Sequence, residues 1–253
     1  SYMKKSLFPR LALMAVVVAL VSACSQKKQE YTDVIPANAH TVVSINLKSL
    51  ADKAGLNDKE NKEVQEKLTN ALKSGMNAAT FQQMEMIMKD PKKSGIDVSE
   101  PLYIFTTETF PTTIVAKVSS EDDLHALLET LEKEKVCQPL ANGDGFQFTQ
   151  MGNQVLIVYT PSVLTNYSGT TQLEKIKENI PALLKQTNEN SIVSTTIFKK
   201  MQKMGGDIST MFSPASLLGP YANMIKASDM PYNIDLKDMK MLGSLSFDKG
   251  KVS

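Results

Sequence analysis

The residues able to do chemistry in this chain are two cysteines, two histidines and a few paired carboxylates. Cys24 follows Val21-Ser22-Ala23, small residues set directly behind an apolar run, and this is the setting in which a cysteine thiol is diacylglycerylated and the chain cut just before it. Cys137 lies between Val136 and Gln138 beside Pro139, with no base near it in sequence, so a buried structural thiol is the expected role. His125 has Glu121 and Glu129 at helical spacing, which makes a carboxylate-imidazole-carboxylate face conceivable. With no second His or Cys nearby, a solvated helix face is the simpler expectation for it, and His40 stands alone at the start of a strand. The pairs Asp122-Asp123 and Glu132/Glu134 lack the alternating oxygen pattern and glycine of a calcium loop, and Asp122 and Asp123 suit the first turn of a helix. Met84, Met86 and Met88, then Met201, Met204 and Met211, suggest an adaptable apolar groove, but Met84, Ile87 and Met88 fall at core spacing.

No His-Glu-x-x-His, Cys-x-x-Cys, Gly-x-Ser-x-Gly or phosphate-loop pattern occurs. The residues therefore predict no catalytic, metal or cofactor-binding set, and Cys24 is the one site they assign, as a lipidation site. The expected function is a lipid-anchored envelope protein acting as a binding or structural module, more in keeping with a non-enzyme than an enzyme. The alternatives are a periplasmic carrier of an apolar small molecule, or a hydrolase whose site is assembled from residues distant in sequence.

Composition narrows the classes further. Of 253 residues, 42% are hydrophobic, which gives enough apolar side chain for a core, and two cysteines cannot make a disulfide framework. Lys4, Lys5 and Arg10 precede an unbroken apolar run over residues 11–21, too short to span a bilayer and right for a signal peptide. Removal of residues 1–23 leaves 25 basic against 27 acidic residues, a net charge of −2. A near-neutral chain has no electrostatic reason to seek nucleic acid. Membrane attachment would come from the lipid on Cys24, leaving a protein or glycan as a further partner. The expected location is the bacterial outer membrane. The polar start Ser25, Gln26, Lys27, Lys28 carries no acidic run and favours its periplasmic face.

The elements that must position these residues follow from periodicity. Strands are expected at residues 41–47, 102–107, 113–118, 146–149, 155–159, 207–212 and 238–247, and helices at 48–54, 58–73, 78–89, 121–131, 173–184, 197–204 and 215–226. Ser119-Ser120 followed by Glu121-Asp122-Asp123 marks a helix start, and Leu124, Leu127, Leu128 and Leu131 mark its buried stripe, with His125 on the opposite side from Leu127. Hairpins alternating with helices imply an α+β fold, an antiparallel sheet built of hairpins with amphipathic helices packed on one face. The expected organisation is a signal peptide over residues 1–23, a lipidated tether over 24–33 and an α+β domain over 34–253. Asp248-Lys249-Gly250 reads as a turn into a return strand, so the domain is expected to continue beyond residue 253.

The lipobox and the segment Tyr31-Thr32-Asp33-Val34-Ile35-Pro36-Ala37-Asn38-Ala39 running into Val42-Val43-Ser44-Ile45-Asn46-Leu47-Lys48-Ser49-Leu50 resemble a family of Bacteroides-type envelope lipoproteins catalogued as a domain of unknown function. Val115-Ala116-Lys117-Val118-Ser119-Ser120, Ile234-Asp235-Leu236-Lys237-Asp238 and Gly243-Ser244-Leu245-Ser246-Phe247 carry the same resemblance. It implies an envelope lipoprotein longer than this chain and brings no functional residue with it.

Overall fold

Short β-branched runs that alternate in and out, separated by Pro, Gly and Asn turns, build the sheet here. The computed structural model describes residues 29–55, 62–225 and 235–249. Cys24, the apolar run before it, residues 25–28 and the expected return strand at 251–253 lie outside the described residues. The chain divides after Glu30, and the folded unit begins at Tyr31. Tyr31–Val34 forms a 3₁₀ turn with all four residues buried, so residues 31–33 belong to the domain and not to a tether.

Nine antiparallel strands are present among the described residues: β1 (Thr41–Ile45), β2 (Leu102–Thr106), β3 (Thr112–Lys117), β4 (Ala141–Asn142), β5 (Gln147–Met151), β6 (Val155–Tyr159), β7 (Val163–Ser168), β8 (Ile208–Phe212) and β9 (Met241–Leu245). They form one sheet in the order β4-β5-β6-β7-β3-β2-β1-β8-β9. The hairpins β2-β3 and β5-β6 are the expected ones. The closure of β1 onto β8, with Val43 opposite Thr210, joins segments far apart in sequence. Among the described residues, seven α-helices accompany the sheet: α1 (Leu47–Lys53), α2 (Lys62–Gly75), α3 (Ala78–Lys89), α4 (Glu121–Lys133), α5 (Leu173–Leu184), α6 (Thr196–Met204) and α7 (Pro214–Leu218). The α+β class and the antiparallel, hairpin-built sheet are thus as expected.

Successive side chains of a strand point to opposite faces, so each face needs its own cover. Val42, Tyr103, Phe105, Val115, Leu156, Val158, Tyr167 and Met211 pack with the 3₁₀ turn at Tyr31–Val34 and with Ile176, Ile180, Phe198 and Met201 of α5 and α6 in the larger core. The other face is covered at its β6-β7 side by Leu124 and Leu128 of α4, which meet Val118, Ile157 and Tyr159, so helices pack on both faces and not on one as expected. On that same face the β2-β1-β8 half presents Ile104, Val43 and Thr210 in one row and Leu102, Ile45 and Ile208 in the next, all half-buried.

Two helices differ from their apolar spacing. Leu68 of α2 is exposed, and α3 buries only Thr80, leaving Met86 and Met88 exposed and Met84 half-buried. The methionine stripe at spacings of three and four is amphipathic but is not a core stripe here. Met201 and Met211, by contrast, are core residues.

Candidate functional site

Among the described residues, the densest group of chemically capable side chains gathers where α4 crosses the β5-β6 hairpin. Ser120 caps α4 by accepting from the Asp123 amide, and Glu121, Asp122 and Asp123 occupy its first turn, where carboxylates complement the helix dipole. The helix is thereby registered so that Leu124 and Leu128 face the sheet and His125 falls at the margin of that contact, half-buried. The Tyr159 hydroxyl donates to Gln147 Oε1 and meets His125 Nδ1 2.5 Å away. On the other side of the ring, His125 Nε2 lies 3.1 Å from Glu129 Oε1. Gln147 in turn donates to Asn142 Oδ1 at 3.1 Å.

A carboxylate, an imidazole and a hydroxyl in line resemble the relay that activates a nucleophile. The chemistry does not follow here. Tyr159 is 1% exposed, so substrate cannot reach its oxygen. Burial pushes its hydroxyl up to about 12, and the charges of Glu121 and Glu129 act in the same direction, whereas a nucleophile or base needs its proton made easier to remove. The network instead satisfies a phenol that the apolar run Val155-Leu156-Ile157-Val158 carries into the interior. It also corrects the expectation of a solvated helix face for His125: the imidazole ties α4 to β6. Sequence reasoning missed Tyr159 and Gln147. The available signal was a tyrosine closing a buried run, whose hydroxyl must find a partner.

Cys137 lines a shallow hollow of about 360 Å³ with Glu132, Lys135, Val136, Gln138 and Gln150. The thiol is buried, and burial raises its pKa, which keeps it protonated and a poor nucleophile. Glu132 and Glu134 are spent on structure: Glu132 accepts from the Leu140 amide, and Glu134 accepts from Thr80 and Asn77, joining α3 to α4. His40 sits in the backbone pairing between β1, β2 and the start of α7, accepting from the Ser213 amide and donating to Thr106. No three His, Cys, Asp or Glu residues among those described come together as a metal site.

A second polar knot joins the far side of the sheet. Asp207 is 1% exposed and accepts from Lys53 at 2.8 Å, from the Ser49 hydroxyl and from the Phe247 amide at 2.6 Å. It fastens α1 and the end of β9 to the start of β8. The Lys53 ammonium, with the Ser49 hydroxyl and the Phe247 amide, holds the Asp207 carboxyl down to about 2. The folded state therefore binds this proton more weakly than the unfolded chain, whose carboxyl titrates near about 3.9. The stabilisation from Asp207 is expected to be complete above about pH 4 and to disappear as pH falls toward 2. Thermal unfolding of wild type and Asp207→Asn, compared across that range, should show a gap in midpoint that narrows with acid. A gap that stays constant would contradict this role.

The family model described as Domain of unknown function (DUF4836) matches residues 31–253. No curated protein matches the chain. Among solved structures, crystal form III of TP0453 matches at 8% identity with a TM-score of 0.41, covering 76% of this chain and 67% of that one. Crystal form I matches at 8% identity and 0.40, covering 78% and 68%.

Proposed function

This chain belongs to the DUF4836 family, and we propose that it is a lipid-anchored protein of the bacterial cell envelope that works by binding and not by catalysis. One observation carries the reading: the hydroxyl at the centre of the best-formed polar constellation, that of Tyr159, is buried and spent on packing, while large uncharged side chains at residues 217–225 face outward. A surface of that kind is the mark of an interaction module. The anchor would be diacylglycerol on Cys24, after removal of residues 1–23. More than one acyl chain is needed for stable attachment, and this modification supplies it. The absence of acidic residues directly after Cys24 supports the periplasmic face of the outer membrane.

The test is metabolic labelling with a fatty-acid analogue. The wild-type chain is expected to take up label and to fractionate with membranes, and Cys24→Ala to do neither. Label retained by Cys24→Ala would overturn the anchor.

A further inference from the structure

We propose that α7 and the 3₁₀ turn that follows it, Gly219–Met224, form a bilayer-contacting element that rests in the boundary between headgroups and acyl chains. The inference rests on the lipid-anchored reading above and says what the outward-facing apolar surface is for. Leu217, Tyr221 and Met224 are 72%, 68% and 74% exposed, with Leu218 and Ile225 beside them. Five large apolar side chains held in water within nine residues are a cost that a soluble surface does not normally carry.

The chemistry favours lipid over a protein partner. Residues 208–225 contain no charged side chain, so the segment itself strands no ionic group in an apolar medium. Within its first turn, the Ser216 hydroxyl and amide both donate to the Ser213 carbonyl. Such a segment enters the interface without leaving those groups unpaired. Tyr221 brings an amphipathic ring of the type that settles at headgroup level.

Chain length then supplies proximity. From Cys24 to Tyr31 the chain spans at most about 25 Å when fully extended, at roughly 3.5 Å per residue. A domain held that close meets the bilayer at high effective concentration, so a surface too weak to bind from solution binds once anchored. Because the inserting segment is uncharged, contact is expected to depend neither on anionic lipid nor on salt.

The chain contains no tryptophan, so one introduced residue reports its own surroundings. The full chain carrying Tyr221→Trp, reconstituted through its lipid into phosphatidylcholine vesicles, is expected to show blue-shifted emission that brominated phosphatidylcholine quenches and added salt does not alter. Asp144→Trp, in the turn between β4 and β5 at the opposite edge of the sheet, is expected to stay unquenched. Adding Leu217→Asp and Met224→Asp to Tyr221→Trp should reduce quenching about fivefold or more. The proposal is overturned if Tyr221→Trp remains water-exposed on vesicles or if Asp144→Trp is quenched equally. It is also overturned by a blue shift without vesicles, which would mark a second copy if it grew with protein concentration and a cover from the same chain if it did not. A chain labelled at Cys24 whose Tyr221→Trp emission is unquenched refutes the docking and leaves the anchor standing. An unlabelled chain refutes the anchor, and coupling it to the same vesicles through a maleimide lipid at Cys24 then decides the docking.

Discussion

Gly95→Ala is expected to cost about 3 kcal/mol or more and to leave little folded protein at 37 °C. Gly95 ends the 3₁₀ turn Pro91–Ser94 at φ 84°, where an L side chain is strained. Its carbonyl accepts from the Ser119 and Ser120 amides at 2.8 and 3.2 Å, so the loop is fastened to the first turn of α4. An added Cβ would lie under 3.0 Å from the Leu124 amide nitrogen and the Ser120 carbonyl oxygen, both backbone, and 2.8 Å from Leu124 Cβ. Backbone cannot rotate aside as a flexible side chain can. The helix must lift from the loop, and Leu124 must then leave its place against the sheet. Gly152→Ala separates the two contributions, because Gly152 also has a positive φ, of 59°, but a Cβ there meets nothing within 4 Å. It should cost only about 1 kcal/mol. Chemical denaturation of both variants decides the matter, and equal losses would show that conformation alone, without the close approach, accounts for Gly95.

That close approach was not legible in the sequence, whereas α4 itself was. Ser120 as cap, three carboxylates in the first turn and leucines three and four apart are local signals, and local signals survive folding unchanged. The hairpins β2-β3 and β5-β6 were legible for the same reason. β7 was missed, although Val163, Thr165 and Tyr167 alternate inward, because Pro161 before it and Asn166 within it read as loop. It pairs β3 with β6 and so sits near the middle of the sheet. Pairings such as β1 with β8 leave no mark in either segment alone, since a strand's own pattern says which face is buried and not which strand lies beside it. The expected helix over residues 215–226 becomes α7 followed by a 3₁₀ turn, since Gly219-Pro220 interrupts the α pattern. The polar groups divide the same way: the first-turn role of Asp122 and Asp123 was local, while the tie from His125 to Tyr159 depends on where a helix crosses a distant hairpin.

The Tyr159 tie makes the second large prediction more specific than leucine spacing alone allows. Leu128 is 4% exposed and lies in the cluster of Val118, Leu124, Ile157 and Tyr159. Leu128→Ala is expected to cost about 2 to 5 kcal/mol, from lost transfer energy and the cavity left behind. In a chain of this size that lowers the thermal midpoint by roughly 4 to 20 °C. On helical spacing alone, His125→Ala would be nearly silent. In the structure it removes one of two partners of a buried hydroxyl, so a loss of about 1 kcal/mol is expected. The loss should depend on that hydroxyl. In a Tyr159→Phe background the imidazole no longer has a phenol oxygen to meet, and His125→Ala should cost almost nothing further. Leu128→Ala, acting through packing, should cost nearly the same in both backgrounds. Urea denaturation of the single and double variants measures both couplings. If His125→Ala were equally costly with and without the Tyr159 hydroxyl, the ring would be acting through Glu129 on the helix surface or through Gln147 Oε1, 3.2 Å from Nδ1, and its assignment as the tie between α4 and β6 would be wrong.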